Sequence, residues 1–384
     1  FSGIGPSFEL TPVKKALPCG GCIMGIEKPL VNRRALPPVR SWRNGDANLI
    51  DLLVVYPVDV INAAGGYESL KTAVSGAVAD TNLCYINSQL DVRVRLVGFE
   101  QIEYEPSGTL ETDLDRLQDL NDGFMDEVGE FREQFGADVV SLLATHGNKG
   151  GLANTMNTPS LGFADSAFNV NLWDQIGAPS YTLAHEIGHN MGCLHNREDV
   201  SVEDARSAEE YDFYEFGYGK RWTTNEEGYR TVMAYDDVLM NYSTGIPYFS
   251  NPEVFYLGVS TGNVGTENNA QVISMTAPYV SNFRASKIQA IYPNQFSKFV
   301  NEGNATSIGV RLATKPIDEV VISVSLSEDS SFRLIGEPRI VFTESNWNLA
   351  QPIGIFAESD LDLNNDSVSL ILESDGIAST TVEL

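Results

Sequence analysis

The sequence predicts an α/β (α+β) domain built on a twisted, mostly parallel sheet with a long histidine-bearing helix, followed by an all-β sandwich. Three observations carry this prediction. Between Leu49 and Ala144, apolar runs typical of buried strands alternate with segments of helical period. Beyond about Lys287 the chain changes to short runs with period-two alternation, separated by turn residues. Between them, residues 185–195 place three of the four histidines at helical spacing followed by a glycine bend.

Taken in order, residues 1–45 stand apart, with seven basic side chains against two acidic ones, several prolines, Cys19-Gly20-Gly21-Cys22 and no clear period. Such a stretch suits an extended segment lying across an acidic domain. Compact order begins with Leu49–Tyr56, nearly continuous in apolar residues and therefore a buried strand. Leu70–Leu90 reads as a long helix with Leu70, Val74, Ala77, Val78 and Leu83 on one face. Val92, Val94 and Leu96 alternate with Arg93 and Arg95, the pattern of a half-exposed strand. Phe124, Val128, Phe131 and Phe135 step at helical spacing, and Gly136 ends them. Ala137–Ala144 is the third strand, and this order predicts helices packed on a mostly parallel sheet. Ser180 is the expected N-cap of the next helix. After Lys287, the runs Val310–Leu312, Val320–Leu326, Arg339–Thr343, Pro352–Ala357 and Val368–Leu372 fit an antiparallel sandwich. The implied divisions are 1–45, 46–286 and 287–384.

The run from His185 to His195 carries the chemistry. On a helix His185 and His189 lie on one face, one turn apart. Two imidazoles so placed can hold one Zn²⁺ at about 2.0–2.1 Å each. Glu186 follows the first ligand, which sets its carboxylate beside the ion, where a general base for an activated water belongs. Gly192 can adopt the positive φ that ends the helix, and the bend brings in His195 as a third ligand. Three protein ligands leave a fourth position for water, as catalytic zinc requires. His146 lies outside this pattern and reads as a surface residue.

With its glycine and third histidine, the run resembles the metzincin zinc endopeptidases, and within them the bacterial reprolysin-like (adamalysin-like) peptidases. The segments Gly228–Tyr235 and Ile246–Pro252 resemble the Met-turn and specificity wall of that family, and the likeness covers roughly Asn48 to Arg284. It implies a metzincin catalytic fold, with Met233 as the apolar floor beneath the ligands; Met240 is a runner-up without the flanking pattern. Gly151, Leu152 and Ala153 would lie on the edge strand that pairs antiparallel with a bound peptide; the alternative is an ordinary glycine loop. Ile246, Pro247 and Tyr248 would line the pocket for the residue after the cut, a roomy apolar wall suited to hydrophobic or aromatic side chains. Tyr235 stands where some metzincins stabilise the oxyanion, or else is a packed core tyrosine. The implied function is hydrolysis of internal peptide bonds in protein or peptide substrates. A zinc hydrolase of non-peptide amides shares the motif, and an extracellular adhesion or matrix-binding protein with a secondary or inactive protease-like domain is the competing class.

Val300–Gly303, Ile340–Thr343 and Asn346–Asn348 resemble Calx-β-like extracellular modules, which implies an Ig-like sandwich able to bind a matrix or cell-surface component. Glu302, Asp360, Asp362 and Asp366 are then candidate Ca²⁺ ligands, since hard oxygen donors suit that ion; a solvated acidic loop is the plain alternative. A net charge of −27 argues against nucleic acid and anionic membranes as partners. No run reaches the length of a membrane span. The setting expected is extracellular, as a secreted monomer.

Four cysteines allow one or two bridges in an exported protein, and Cys84 and Cys193, on helices expected to share a sheet face, predict a disulfide. Several metzincins stay latent through a pro-segment cysteine on the zinc. Cys19 or Cys22 could act so here, making the chain a zymogen, although the paired CxxC departs from familiar switch motifs and also fits a local disulfide or a disordered leader.

Overall fold

A computed structural model describes residues 23–24, 47–198, 215–224, 227–236, 243–327, 331–359 and 366–384. Cys19, Cys22, Met240, Asp360 and Asp362 lie outside the described residues. The N-terminal half folds on a six-stranded sheet. Its strands are β1 (Ile23–Met24), β2 (Asn48–Pro57), β3 (Val92–Ile102), β4 (Val139–Ala144), β5 (Gly151–Thr155) and β6 (Phe168–Leu172), in the order β1-β5-β6-β4-β2-β3. Strands β3, β2, β4 and β6 are mutually parallel, β5 runs antiparallel to β6, and β1 joins β5 in parallel. Parallel neighbours need crossovers, supplied here by α1 (Val58–Ala63) with α2 (Tyr67–Asn87), and by α3 (Leu110–Gln118) with α4 (Glu127–Phe135).

The pleat of β2 sorts its side chains into two cores. Ile50, Leu52, Val54 and Tyr56 join α2 on one face, while Leu53 and Val55 face α3 and α4 on the other. Asp51, inside that apolar run, is fully buried. Arg95 of β3 pairs with it at 2.8 Å. Burial nevertheless pushes the Asp51 carboxyl upward, against the pull of that guanidinium.

Several expectations shift. Helix α2 buries Leu70, Val74 and Ala77 as expected, but continues through Thr81, Cys84 and Tyr85, leaving Leu83 exposed. Phe124 is likewise exposed and precedes α4, whose stop at Gly136 is left-handed (φ 64°). Helix α3 has no counterpart in the sequence reading. It is strongly acidic, and its core contact rests on Leu110, Leu114 and Leu117.

Past the sheet come α5 (Thr182–Asn190), then β7 (Leu194–Asn196) with β8 (Tyr218–Gly219), and the small sheet of β9 (Arg221–Thr224), β10 (Glu227–Arg230) and β11 (Thr244–Gly245). The hairpin β12 (Phe255–Tyr256) and β13 (Val259–Ser260) follows, then α6 (Asn269–Val280), which packs on the α2 face of the sheet. The C-terminal region is strand-rich. Strands β14 (Ile291–Pro293), β15 (Ala305–Leu312), β16 (Val320–Leu326), β17 (Phe332–Ile335), β18 (Arg339–Phe342), β19 (Gln351–Ala357), β20 (Ser369–Ser374) and β21 (Ile377–Glu383) form two antiparallel sheets, β14-β15-β19-β17 and β18-β16-β20-β21. Both sheets bury alternate residues in one core that includes Ile308, Val310, Phe342, Ile355 and Leu372. Strands β14, β17 and β21 have no counterpart in the sequence reading. Tyr292 of β14 bonds Ala47 O and Leu49 N, and Arg95 reaches Ile288 O and Gln289 O, so the region is fixed to the start of the first sheet.

Candidate metal centre

Helix α5 spans nine residues, every one buried, so it is a short element wedged into the interior rather than the long helix expected. Ser180 does not cap it. Tyr181 occupies the cap in a left-handed conformation (φ 55°) with no side-chain cap bond. The first amides are satisfied instead by the preceding loop, Thr182 N on Gln175 O and Leu183 N on Ile176 O. A side-chain cap is therefore redundant. At the other end Gly192 takes φ 91°, and Cys193 N returns to Gly188 O at 2.9 Å. That bend delivers His195 on β7 to the same side as His185 and His189.

The three Nε2 atoms converge, at 3.1 Å between His185 and His189, 2.9 Å between His189 and His195, and 3.1 Å between His185 and His195. Nδ1 of His185 lies 2.8 Å from Val232 O, and Nδ1 of His189 lies 2.8 Å from Cys193 O. A carbonyl only accepts, so each of these Nδ1 atoms carries the proton and each Nε2 turns a lone pair inward. Burial holds His189 down at about 4 and drives His185 and His195 well below the usual imidazole range, keeping all three neutral. Neutral lone pairs packed this closely repel unless a cation lies between them. The donor set therefore fits a divalent metal of the zinc type, and among the described residues this is the cluster with metal-ligating geometry.

Around the triad the packing leaves no slack. Met233 is fully buried, and a Cβ at Gly188 would lie 2.5 Å from its Sδ and 3.3 Å from a Phe249 ring carbon. Glycine at 188 is thus what lets the helix settle onto this floor. Glu186 is also fully buried, and a Cβ at Gly151 would collide with its Oε1 and come within 2.7 Å of Thr182 Cγ2. The carboxylate is therefore pressed against the first residue of β5. The Tyr235 ring lies 4.1 Å from that of His195, tilted by 37°, which puts the side chain at the centre, and its backbone N–H donates to Asn196 Oδ1. Gly151, Leu152 and Ala153 form strand rather than loop, and Pro247 and Tyr248 lie just past β11.

A ladder of buried amides that the sequence reading missed fixes α5 to the sheet. Asn190 donates to Asn154 O and Phe168 O and accepts from Asn169, whose Oδ1 accepts from Asn171. Asn171 in turn donates to Ser141 Oγ. The available signal was Asn169 and Asn171 at alternate positions of an otherwise apolar strand, which places both on the helix-bearing face. Arg230, at the end of β10, was also missed.

The expected Cys84–Cys193 disulfide is corrected, since both residues remain buried thiols. Helix α2 is instead bridged to the end of α5 by Tyr85, whose hydroxyl reaches Met191 Sδ at 3.5 Å, while Cys193, past the end of α5, donates through Sγ to Asn269 O at 3.8 Å. His146 is exposed beside Thr145 and takes no part in the triad. Glu302 and Asp366 are exposed and are not gathered into a metal-capable cluster among the described residues.

Comparison with known proteins meets this geometry. The family model described as metallo-peptidase family M12B, reprolysin-like, matches residues 47–268. A peptidyl-Asp metalloendopeptidase of Stenotrophomonas maltophilia (strain K279a) is 33% identical over 245 residues, covering 63% of this chain and 54% of that protein. One of the same name from Xanthomonas campestris pv. campestris is 32% identical, covering 63% and 53%. The chain thus spans about half the length of the curated relatives it matches. A chain in a solved chaperone–substrate complex shares 23% identity over 62% of this chain and 35% of that one, at a TM-score of 0.46.

Proposed function

We propose that this chain, which belongs to the reprolysin-like metallo-peptidase family M12B, is a zinc-dependent endopeptidase that cuts internal peptide bonds beside aspartyl residues. The observation that carries the reading is the convergence of three neutral imidazole Nε2 atoms within 2.9–3.1 Å, with a buried glutamate one residue after the first ligand. The choice of aspartyl substrates comes from the names of the relatives. His185, His189 and His195 would hold Zn²⁺, which when bound would supply a Lewis acid able to acidify water and polarise the scissile carbonyl. Glu186 accepts the proton of the attacking water and hands it to the departing amine. The outer edge of β5, from Gly151 to Ala153, receives the peptide as an added antiparallel strand, and Pro247 and Tyr248 flank the residue after the cut. The ring of Tyr235 against His195 supports a role for its hydroxyl at the developing oxyanion. Once residues 1–45 are removed, the metal-loaded protein should cleave casein and an aspartyl peptide, lose cleavage with a chelator and regain it on adding Zn²⁺. Cleavage that survives complete metal removal overturns the reading.

We further propose that the protein is exported and held latent by its N-terminal segment, through Cys19 or Cys22. Strand β1, directly after Cys22, supports this, because Ile23 and Met24 pair with Asn154 and Thr155 on the edge of β5. That pairing is parallel, whereas a substrate strand is antiparallel, so the segment lies on the same edge in reverse. A zinc K-edge spectrum of the untrimmed chain should contain a sulfur shell near about 2.3 Å. A shell of nitrogen and oxygen alone removes the cysteine from this role.

A further inference from the structure

An aspartyl-directed peptidase needs a cation where the acidic side chain docks, and this chain carries 25 lysines and arginines against 52 acidic residues. We infer that Arg230 selects substrate by binding the carboxylate of the residue that follows the scissile bond; the inference rests on the peptidase reading above and names its specificity determinant.

The position follows from strand pairing. Arg230 closes β10, two residues before Val232, whose carbonyl holds His185, and three before Met233 beneath the triad. Strand β10 pairs in parallel with β11, setting Arg230 opposite Gly245, and Ile246 N donates back to Arg230 O at 2.9 Å. The chain then runs directly into Pro247 and Tyr248, the wall assigned above to the residue after the cut. The side chain stays on that wall. A Cβ at Gly245 would lie 3.3 Å from Arg230 Cζ and Nη2 and 2.8 Å from Pro179 O, so the guanidinium lies against a bare backbone that only glycine leaves open. Tyr256 packs edge-on against Tyr248 (5.6 Å) and Tyr229 (5.5 Å), giving the same wall aromatic sides.

The guanidinium is anchored yet within reach. Nε bonds Asp236 Oδ1 at 3.0 Å and Nη1 bonds Ala234 O at 3.3 Å, which fixes the plane of a group with five N–H donors. The side chain keeps 12% of its surface accessible. A clamped arginine offers a forked donor at fixed depth, which matches a short carboxylate and discriminates against the isosteric amide. An apolar wall alone, as the sequence suggested, supplies no such preference.

The test compares two peptides that differ only in Asp or Asn after the scissile bond, cleaved by the full chain loaded with Zn²⁺. Taking the ratio of their kcat/KM values cancels any fraction held latent. The wild type should favour Asp by about 10²–10³-fold, the usual cost of removing one partner of a desolvated charge pair. Arg230→Gln should bring the ratio close to one through loss on the Asp peptide alone, and Arg230→Lys should keep part of the preference. A ratio unchanged in Arg230→Gln overturns the inference while leaving the peptidase reading intact. A wild type that cuts both peptides alike overturns the inference together with the aspartyl preference. Should Arg230→Gln fail to bind metal, Asp236→Asn decides. Removing the counter-charge should raise the Asp:Asn ratio several-fold, and a ratio that stays level or falls overturns the assignment.

Discussion

Glu186→Gln is expected to lower kcat by about 10²–10⁴-fold, the usual range for a lost general acid–base, while the protein keeps one bound metal ion per chain. The substitution isolates chemistry from structure for a physical reason. Glutamine has the outline of glutamate, and the site admits little else, because the side chain is fully buried and pressed against Gly151 and Thr182. The amide fits that space but cannot accept a proton from water. Since the clustered ligands are the three histidines and not Glu186, metal content and melting temperature should match the wild type. Measuring kcat on an aspartyl peptide beside zinc stoichiometry checks both halves at once. A variant that keeps its rate within about threefold moves the base elsewhere; one that loses its zinc makes Glu186 a structural support of the ligands.

His189→Ala should cost more, removing metal, activity and stability together. His189 lies 3.1 and 2.9 Å from the other two ligands, and its Nδ1 anchors the bend at Cys193 O. Alanine leaves two ligands and a void in a fully buried position. A metal present at a thousandfold its dissociation constant stabilises the folded state by about 4 kcal/mol, and the variant forfeits this. Zinc stoichiometry after dialysis should fall to near zero, and a variant that retains a full equivalent refutes the triad as the metal site. Acid should act in the same direction on the wild type. Burial depresses the folded-state value of His189 to about 4, and those of His185 and His195 well below 6.5, so the unfolded chain takes up protons that the folded one refuses. Their contribution to stability is complete above pH 6.5 and declines as pH falls from there toward 4, and ligands protonated on unfolding cannot hold metal. Metal retained at pH 7 should therefore be released across that interval, as a chelating dye would record.

The two variants depend on different kinds of information. The ligand spacing is a local property: four residues on a helix fix the first two imidazoles, and a glycine at 192 fixes the bend to the third, whatever the rest of the chain does. The β2 run and the stop at Gly136 were legible for the same reason, since a pleat and a left-handed glycine are set by neighbours in sequence. Helix α2 was legible in position but not in phase. Apolar side chains surround it, and its contacts with Met191 at the end of α5 and with the Phe249 ring take Tyr85 into the interior while Leu83 faces solvent.

By itself, then, the sequence determined that two histidines share one helix face, with a glutamate beside the first and a third histidine past a glycine bend, because covalent distance along the chain dictates those vectors. Tertiary structure alone decided what supports and surrounds them. Asn169, Asn171 and Asn190 meet only when strand and helix pack, and the helix bridge falls to Tyr85 and Met191 rather than to Cys84 and Cys193. Arg230 reaches Gly245 only through strand pairing, across fifteen positions of sequence. Contacts of that kind arise from the filling of space between distant segments, which no local periodicity encodes.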